Sequence, residues 1–194
     1  MEQKSKAVFL DRDGTISVEI GYIDNVELFK LYPESVEALA SLKAMGYKLV
    51  VISNQSGVAQ GFFPESRVRM IHDKMVSLLK ENGVVLDGVY YCPHLPNGKI
   101  PEYAKECECR KPNIGMIKRA EKELKIDLRH SLLIGDKLSD IACGRNAGLK
   151  TILVRTGYGK ETEQQLRGLS EAEKPEVIVE TLREAVEWIR YEAM

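Results

Sequence analysis

Asp11 and Asp13 stand one residue apart at the end of the apolar run Val8-Phe9-Leu10, just before Gly14-Thr15. A carboxylate can attack phosphorus to give an aspartyl-phosphate, provided the substrate's negative charge is neutralised. Asp11 together with the distant Asp136 would hold a hard divalent cation, and Mg²⁺ uses one or two carboxylates with waters and a substrate phosphate. Asp13 would then protonate the leaving alkoxide and later activate water. Ser53, the amides near Asn54 and the ammonium of Lys111 would supply donors and charge to the remaining phosphoryl oxygens. Taken alone, Asp13-Gly14 reads as readily as a turn.

A second set of chemistry-bearing residues lies between positions 92 and 110. Cys92-x-His94, twelve intervening residues and Cys107-x-Cys109 offer three thiolates and an imidazole, a closed tetrahedral set suited to structural Zn²⁺. The alternatives are a loop with incidental cysteines or a redox pair, and Cys-Glu-Cys is not the Cys-x-x-Cys redox pattern. With Pro93, Pro96, Gly98 and Pro101 and little apolar content, this segment needs a metal to fold it. Its expected effect is to position Arg110 and Lys111.

These groups meet only if particular elements bring them together. Val8–Leu10, Tyr47–Ile52, Val89–Tyr91, Ser131–Gly135 and Thr151–Val154 read as buried strands, and Glu176–Val179 as a short edge strand. Between them, a helix after Pro33 carries Val36, Leu39 and Ala40 at helical spacing and stops at Gly46. A helix after Pro64 carries Val68, Ile71, Met75, Leu78 and Leu79, with His72 read as a surface or packing residue. Pro112 and Ile114–Lys125 begin and fill a third helix, Asp140–Ala147 a fourth containing Cys143, and the last presents Leu182, Ala185, Val186 and Ile189, with Trp188 packing nearby. Residues 17–31 read as a long loop. Alternating strands and helices predict an α/β, doubly wound, Rossmann-like parallel sheet with helices on both faces and a zinc-loop insertion. In such sheets chemistry collects beyond the carboxyl ends of the strands, where Asp11, Ser53 and Asp136 all fall.

The 194 residues suit a single domain spanning 1–194. At 44% hydrophobic and 29% charged residues the composition is that of a globular protein. A formal net charge of −1 gives no reason to expect nucleic acid or an anionic membrane as partner, so a small molecule is the expectation. The polar start Met1-Glu2-Gln3-Lys4-Ser5-Lys6 and the short run after it fit neither a signal peptide nor a membrane span, which predicts a cytoplasmic location. Without a large cap or an evident apolar patch, a monomer is expected.

Asp11-Arg12-Asp13-Gly14-Thr15, Ser53-Asn54, Lys111-Pro112 and Gly135-Asp136-Lys137-Leu138-Ser139-Asp140 together resemble the four ordered motifs of haloacid dehalogenase superfamily phosphatases. The resemblance implies that Asp11 is the nucleophile, Asp13 the acid/base, and Ser53 and Lys111 the phosphoryl-stabilising pair. It further implies Mg²⁺ ligation by Asp11, Asp136 and the backbone carbonyl of Asp13, with Asp140 as an orienting residue. The zinc loop, Cys109-Arg110-Lys111-Pro112 and Asn54-Gln55-Ser56-Gly57 narrow the resemblance to capless members with a zinc loop, spanning about Phe9 to Gly157. That implies hydrolysis of the C7 phosphate of a heptose 1,7-bisphosphate on the way to nucleotide-activated heptose, destined for lipopolysaccharide or for a glycoprotein. Substrate contacts are implied at Glu19, Ile20, Gly21 and Tyr22, at Ser53, Asn54, Gln55 and Ser56, and at Arg110, Lys111 and Lys137. Gln60 departs from the family, where a basic residue is common, and Phe62 lies in the same loop. Histidinol-phosphate phosphatases share the motifs and a similar zinc loop, and a non-catalytic zinc-binding module is the alternative from another class.

Overall fold

A computed structural model describes residues 4–192. Six strands form one parallel sheet: β1 (Ala7–Leu10), β2 (Lys48–Asn54), β3 (Gly88–Cys92), β4 (Leu132–Gly135), β5 (Lys150–Val154) and β6 (Val177–Val179), in the order β3-β2-β1-β4-β5-β6. The chain winds outward from β1 in one direction, then returns to lie on its other side, which is the doubly wound arrangement. The amino-terminal residues read as lacking a signal peptide fall partly outside the described residues.

Alternate strand residues feed opposite faces, as the pleat dictates. Val8, Leu10, Leu49, Val51, Leu132 and Ile134 join one core, while Ala7, Phe9, Val50, Ile52 and Leu133 join the other. The first core is closed by α1 (Ser35–Ala44), α2 (Glu65–Glu81) and α6 (Leu182–Glu192); the second by α3 (Gly115–Leu124) and α4 (Leu138–Asn146). Strands buried on both faces account for the continuous apolar runs that mark them in the sequence.

Several boundaries and phases differ from expectation. The buried side of α1 is Ser35, Ala38, Leu39 and Leu42, leaving Ala40 exposed and Val36 half-buried. Ser35 changes the phase, because its hydroxyl donates to the carbonyl of Ile16 at 2.7 Å and so faces inward. Pro112 lies in the turn ahead of α3, which begins at Gly115, and α4 begins two residues before Asp140. The segment 17–31 is anchored, with Ile23 and Phe29 in the core and a single 3-10 turn at Val26–Leu28. A short helix, α5 (Gly159–Gln165), had no apolar period to announce it. His72 is buried on α2 and Trp188 packs half-buried against the core, so both are packing residues.

Candidate active site

The carboxyl ends of β1, β2 and β4 open into a cleft of about 340 Å³ lined by Asp11, Asp13, Ser53, Gln55, Arg110, Lys111 and Lys137, among others. β1 ends at Leu10 and delivers Asp11, whose N–H donates to the carbonyl of Ile134 on β4 at 3.0 Å. The turn that follows folds tightly onto the Arg12 carbonyl, which accepts from Ile16 and Ser17 N–H groups, both at 2.9 Å. Gly14 adopts φ +85, and a Cβ there would lie 2.1 Å from Asp136 Oδ2. Gly157, at φ +55, would bring one within 2.3 Å of the same oxygen. The two glycines therefore make the space that Asp136 occupies.

Asp136 follows β4 and is fully buried. Its Oδ2 accepts the Tyr158 N–H at 2.8 Å, while Oδ1 is buried with no hydrogen-bond partner. Burial and the nearby Asp11 carboxylate push its carboxyl up to about 8. A buried acceptor oxygen with no donor, beside a second carboxylate, is what a cation site requires. Oxygens of Asp11, Asp136 and Asp140 lie within 4.8 Å of one another. Asp140 is already engaged: its Oδ2 accepts the Lys137 N–H at 3.0 Å and its Oδ1 lies 2.6 Å from Lys111 Nζ. That leaves Asp11 and Asp136 as the carboxylates that fit a hard divalent ion, with Asp140 orienting Lys111.

Lys111 is buried and its ammonium has three partners, Asp11 Oδ1 at 3.0 Å, Asp140 Oδ1 at 2.6 Å and the carbonyl of Ile52, to which it donates at 2.8 Å. Burial alone would lower its pKa; the Asp11 and Asp140 carboxylates outweigh that and raise it, so the charge is permanent. Its main chain is held by the Asn54 side chain. Asp13 accepts from Arg12 Nε at 2.9 Å and Nη2 at 2.6 Å, and from Gln55 Nε2 at 2.9 Å. Although burial works the other way, the Arg12 guanidinium and its hydrogen bonds hold the Asp13 carboxyl below the usual carboxylate range. Gln55 Nε2 also donates to Ser53 Oγ at 2.7 Å, tying the acid at the end of β1 to the hydroxyl at the end of β2.

The four zinc-loop residues come together at the end of β3. Cys109 Sγ lies 3.1 Å from Cys92 Sγ, 3.3 Å from Cys107 Sγ and 3.4 Å from His94 Nδ1, with Cys92 Sγ 3.6 Å from that nitrogen. All four cysteines are free thiols. A tetrahedron built on Zn–S of about 2.3 Å and Zn–N of about 2.0–2.1 Å has S–N edges of about 3.6 Å and S–S edges of about 3.8 Å, so the nitrogen is already in place and the sulfurs need to part by only about half an ångström for the donor set to hold zinc. The loop is stitched to the cleft in two places. The Cys92 carbonyl accepts the Gln55 N–H at 2.7 Å, and Arg110 Nη1 donates to the His94 carbonyl at 3.0 Å.

Of the expected substrate-contact residues, Glu19, Gly21, Tyr22, Ser53, Asn54, Gln55, Ser56, Arg110, Lys111 and Lys137 line the cleft. Ile20 stands outside that lining with 47% of its surface exposed. Glu19 Oε2 pairs with Lys137 Nζ at 2.9 Å and its Oε1 accepts the Gly21 N–H at 2.7 Å, which shapes the near wall. Sequence reasoning passed over Ile23, Phe63 and Tyr158, which also line the cleft, and named Gly57 and Ser139 only within motifs, without the cleft contact they make. Tyr158 sits 4.8 Å beneath the Lys137 ammonium, and no local motif signals it.

Residues 108–185 match a family model described as HAD-hydrolase-like. The chain is 48% identical over 153 residues to the D-glycero-beta-D-manno-heptose-1,7-bisphosphate 7-phosphatase of Pasteurella multocida, covering 78% of this chain and 83% of that one. It is 41% identical over 156 residues to the D-glycero-alpha-D-manno-heptose-1,7-bisphosphate 7-phosphatase of Photorhabdus laumondii, covering 80% and 85%. Its fold is similar to the D,D-heptose 1,7-bisphosphate phosphatase of B. bronchiseptica crystallised with magnesium and phosphate, with a TM-score of 0.84, 32% identity and coverage of 96% and 99%.

Proposed function

Because this chain belongs to the heptose 1,7-bisphosphate phosphatase family of haloacid dehalogenase-like hydrolases, we propose that it removes the C7 phosphate of D-glycero-D-manno-heptose 1,7-bisphosphate and releases heptose 1-phosphate. The observation that carries this reading is the meeting of Asp11, Asp13, Ser53 and Lys111 in one cleft with Asp136 buried beside it.

In the proposed reaction an Asp11 carboxylate oxygen attacks phosphorus and the bond from phosphorus to the C7 oxygen breaks. Asp13 gives its proton to that departing oxygen. The dianionic phosphoryl group draws Asp13 towards its protonated form on binding, since a like charge disfavours the carboxylate. Asp13 then takes a proton from the water that attacks phosphorus, and Asp11 and inorganic phosphate are released. Ser53 Oγ and the Lys111 ammonium stabilise the transferring oxygens. Magnesium bound by Asp11, Asp136 and the Asp13 carbonyl would supply the charge neutralisation that lets a carboxylate approach a phosphate.

Arg110 receives the second phosphate in this reading. One of its nitrogens is anchored on His94, and the remaining guanidinium donors suit phosphate oxygens bidentately. Zinc at Cys92, His94, Cys107 and Cys109 would fix the loop that presents Arg110 and Lys111. Glu19, Gly21, Tyr22, Gln55, Ser56 and Lys137 complete the sugar site. The proposal extends to one domain over 1–194, supported by α6 packing on α1 against the same core, and to a cytoplasmic monomer. No helix among the described residues is long and apolar enough to cross a membrane.

Phosphate release from the two anomers of heptose 1,7-bisphosphate, measured beside histidinol phosphate, tests the substrate. A higher kcat/KM for either bisphosphate is the expected outcome, and a preference for histidinol phosphate would overturn it. Asp11→Asn tests the nucleophile: turnover should fall by at least about 10³-fold while zinc content stays at the wild-type level.

A further inference from the structure

Arg12 is among the largest fully buried side chains of the molecule, at 1% exposure, although nothing in the proposed reaction uses it. Its guanidinium takes Asp13 in a two-point fork, Nε to Oδ1 at 2.9 Å and Nη2 to Oδ2 at 2.6 Å. Ser17 Oγ at 3.3 Å and Gln55 Nε2 at 2.9 Å complete four donors around the one carboxylate. A planar fork fixes both oxygens in a single plane, which a lysine ammonium cannot do.

Stability does not explain the arrangement. A buried ion pair recovers little more than its own desolvation cost, and apolar side chains of similar volume commonly serve as well. Arg12 Nη1 is moreover buried with no hydrogen-bond partner, and so is Nε2 of His72 on α2. Burial, assisted by the Arg12 charge, holds the His72 imidazole down at about 3.

We propose that Arg12 is a positioning residue that sets the Asp13 carboxylate for proton transfer to the leaving oxygen. The inference rests on the reading of Asp13 as the acid. Arg12 never meets substrate. It turns a side chain at the end of β1, free to rotate about two bonds, into a group with one orientation, and misplacement of a reacting group by about 1 Å can cost about 10²-fold in rate.

The test compares kcat/KM on heptose 1,7-bisphosphate, whose alkoxide leaves only with a proton, with that on 4-nitrophenyl phosphate, whose leaving group needs none. Because kcat/KM covers only the steps through the first irreversible one, it isolates the acid role from the later water step. Asp13→Asn should lose about 10²–10⁴-fold on the bisphosphate and far less on the aryl ester. Arg12→Gln should show the same selectivity at about 10²-fold, and Arg12→Lys should recover only part of it. If Asp13→Asn is selective and Arg12→Gln depresses both substrates equally, or neither, the positioning role is overturned while the phosphatase reading stands. If Asp13→Asn shows no selectivity, the reading of Asp13 as acid falls, and the inference with it. Should Arg12→Gln lose zinc or its thermal transition, Arg12→Lys carries the test, since it keeps the charge and loses the fork: a selective loss on the bisphosphate is expected, and an unchanged ratio between the two substrates overturns the proposal.

Discussion

The Asn54 side chain and the Lys111 main chain bond to each other in both directions: Nδ2 donates to the Lys111 carbonyl at 3.1 Å and the Lys111 N–H donates to Oδ1 at 3.0 Å. β2 thereby holds the end of the zinc loop in register although 57 residues separate the partners.

Asn54→Ala removes both bonds and leaves the Lys111 N–H and carbonyl to find other partners. The loss of stability should be about 1–3 kcal/mol, seen as a lower denaturant midpoint. A displaced Lys111 should also reduce kcat/KM by about 10²-fold. Unchanged kinetics in a destabilised variant would show that Lys111 keeps its place without the clamp.

Cys107→Ser replaces a thiolate in the four-donor cluster. Metal analysis of the purified variant should find less than one zinc per chain. The melting temperature should fall by about 2–4 °C for each kcal/mol of folding energy that the metal supplies. Activity should fall along with zinc, since the Cys92 carbonyl and the His94 carbonyl hold Gln55 and Arg110. A variant with no loss of zinc or stability would remove the structural-metal reading.

Magnesium should stabilise the protein more in mild alkali than in mild acid. In the metal-free protein Asp136 is held up to about 8 by burial and by Asp11, against an ordinary value of 3.8. The folded form therefore binds more protons than the unfolded chain between those values, and its stability declines as pH rises through that window. A bound cation favours the carboxylate and cancels the decline. The rise in melting temperature on adding magnesium should be greater at about pH 8 than at about pH 5, and Asp136→Asn should abolish the difference. Equal shifts at the two pH values would contradict the placement of the ion on Asp136.

Much of the fold can be read in the chain because strands buried on both faces need apolar residues in sequence, and each of β1, β2 and β4 runs from such a stretch into polar side chains. The zinc cluster is legible for a different reason, as paired ligands at short spacing have few other uses. What escapes is whatever depends on tertiary approach. Tyr158 reaches Asp136 through a main-chain N–H, which no side-chain pattern encodes. Ser139 enters the cleft because α4 starts at Leu138, earlier than its apolar residues suggest. Arg12 looks in sequence like a surface charge between two acids, and only the turn onto its own carbonyl explains its burial. The phase of α1 was set by Ser35, whose inward hydroxyl has no signature in a hydrophobic pattern.

Gly14 and Gly157 press against one oxygen of Asp136 from two sides, with room for a hydrogen and nothing larger. In a library in which every position is randomised, these two sites will therefore tolerate replacement as poorly as the acids themselves. A ranking of residues by functional depletion would place them among the reacting groups although neither carries an atom of the chemistry.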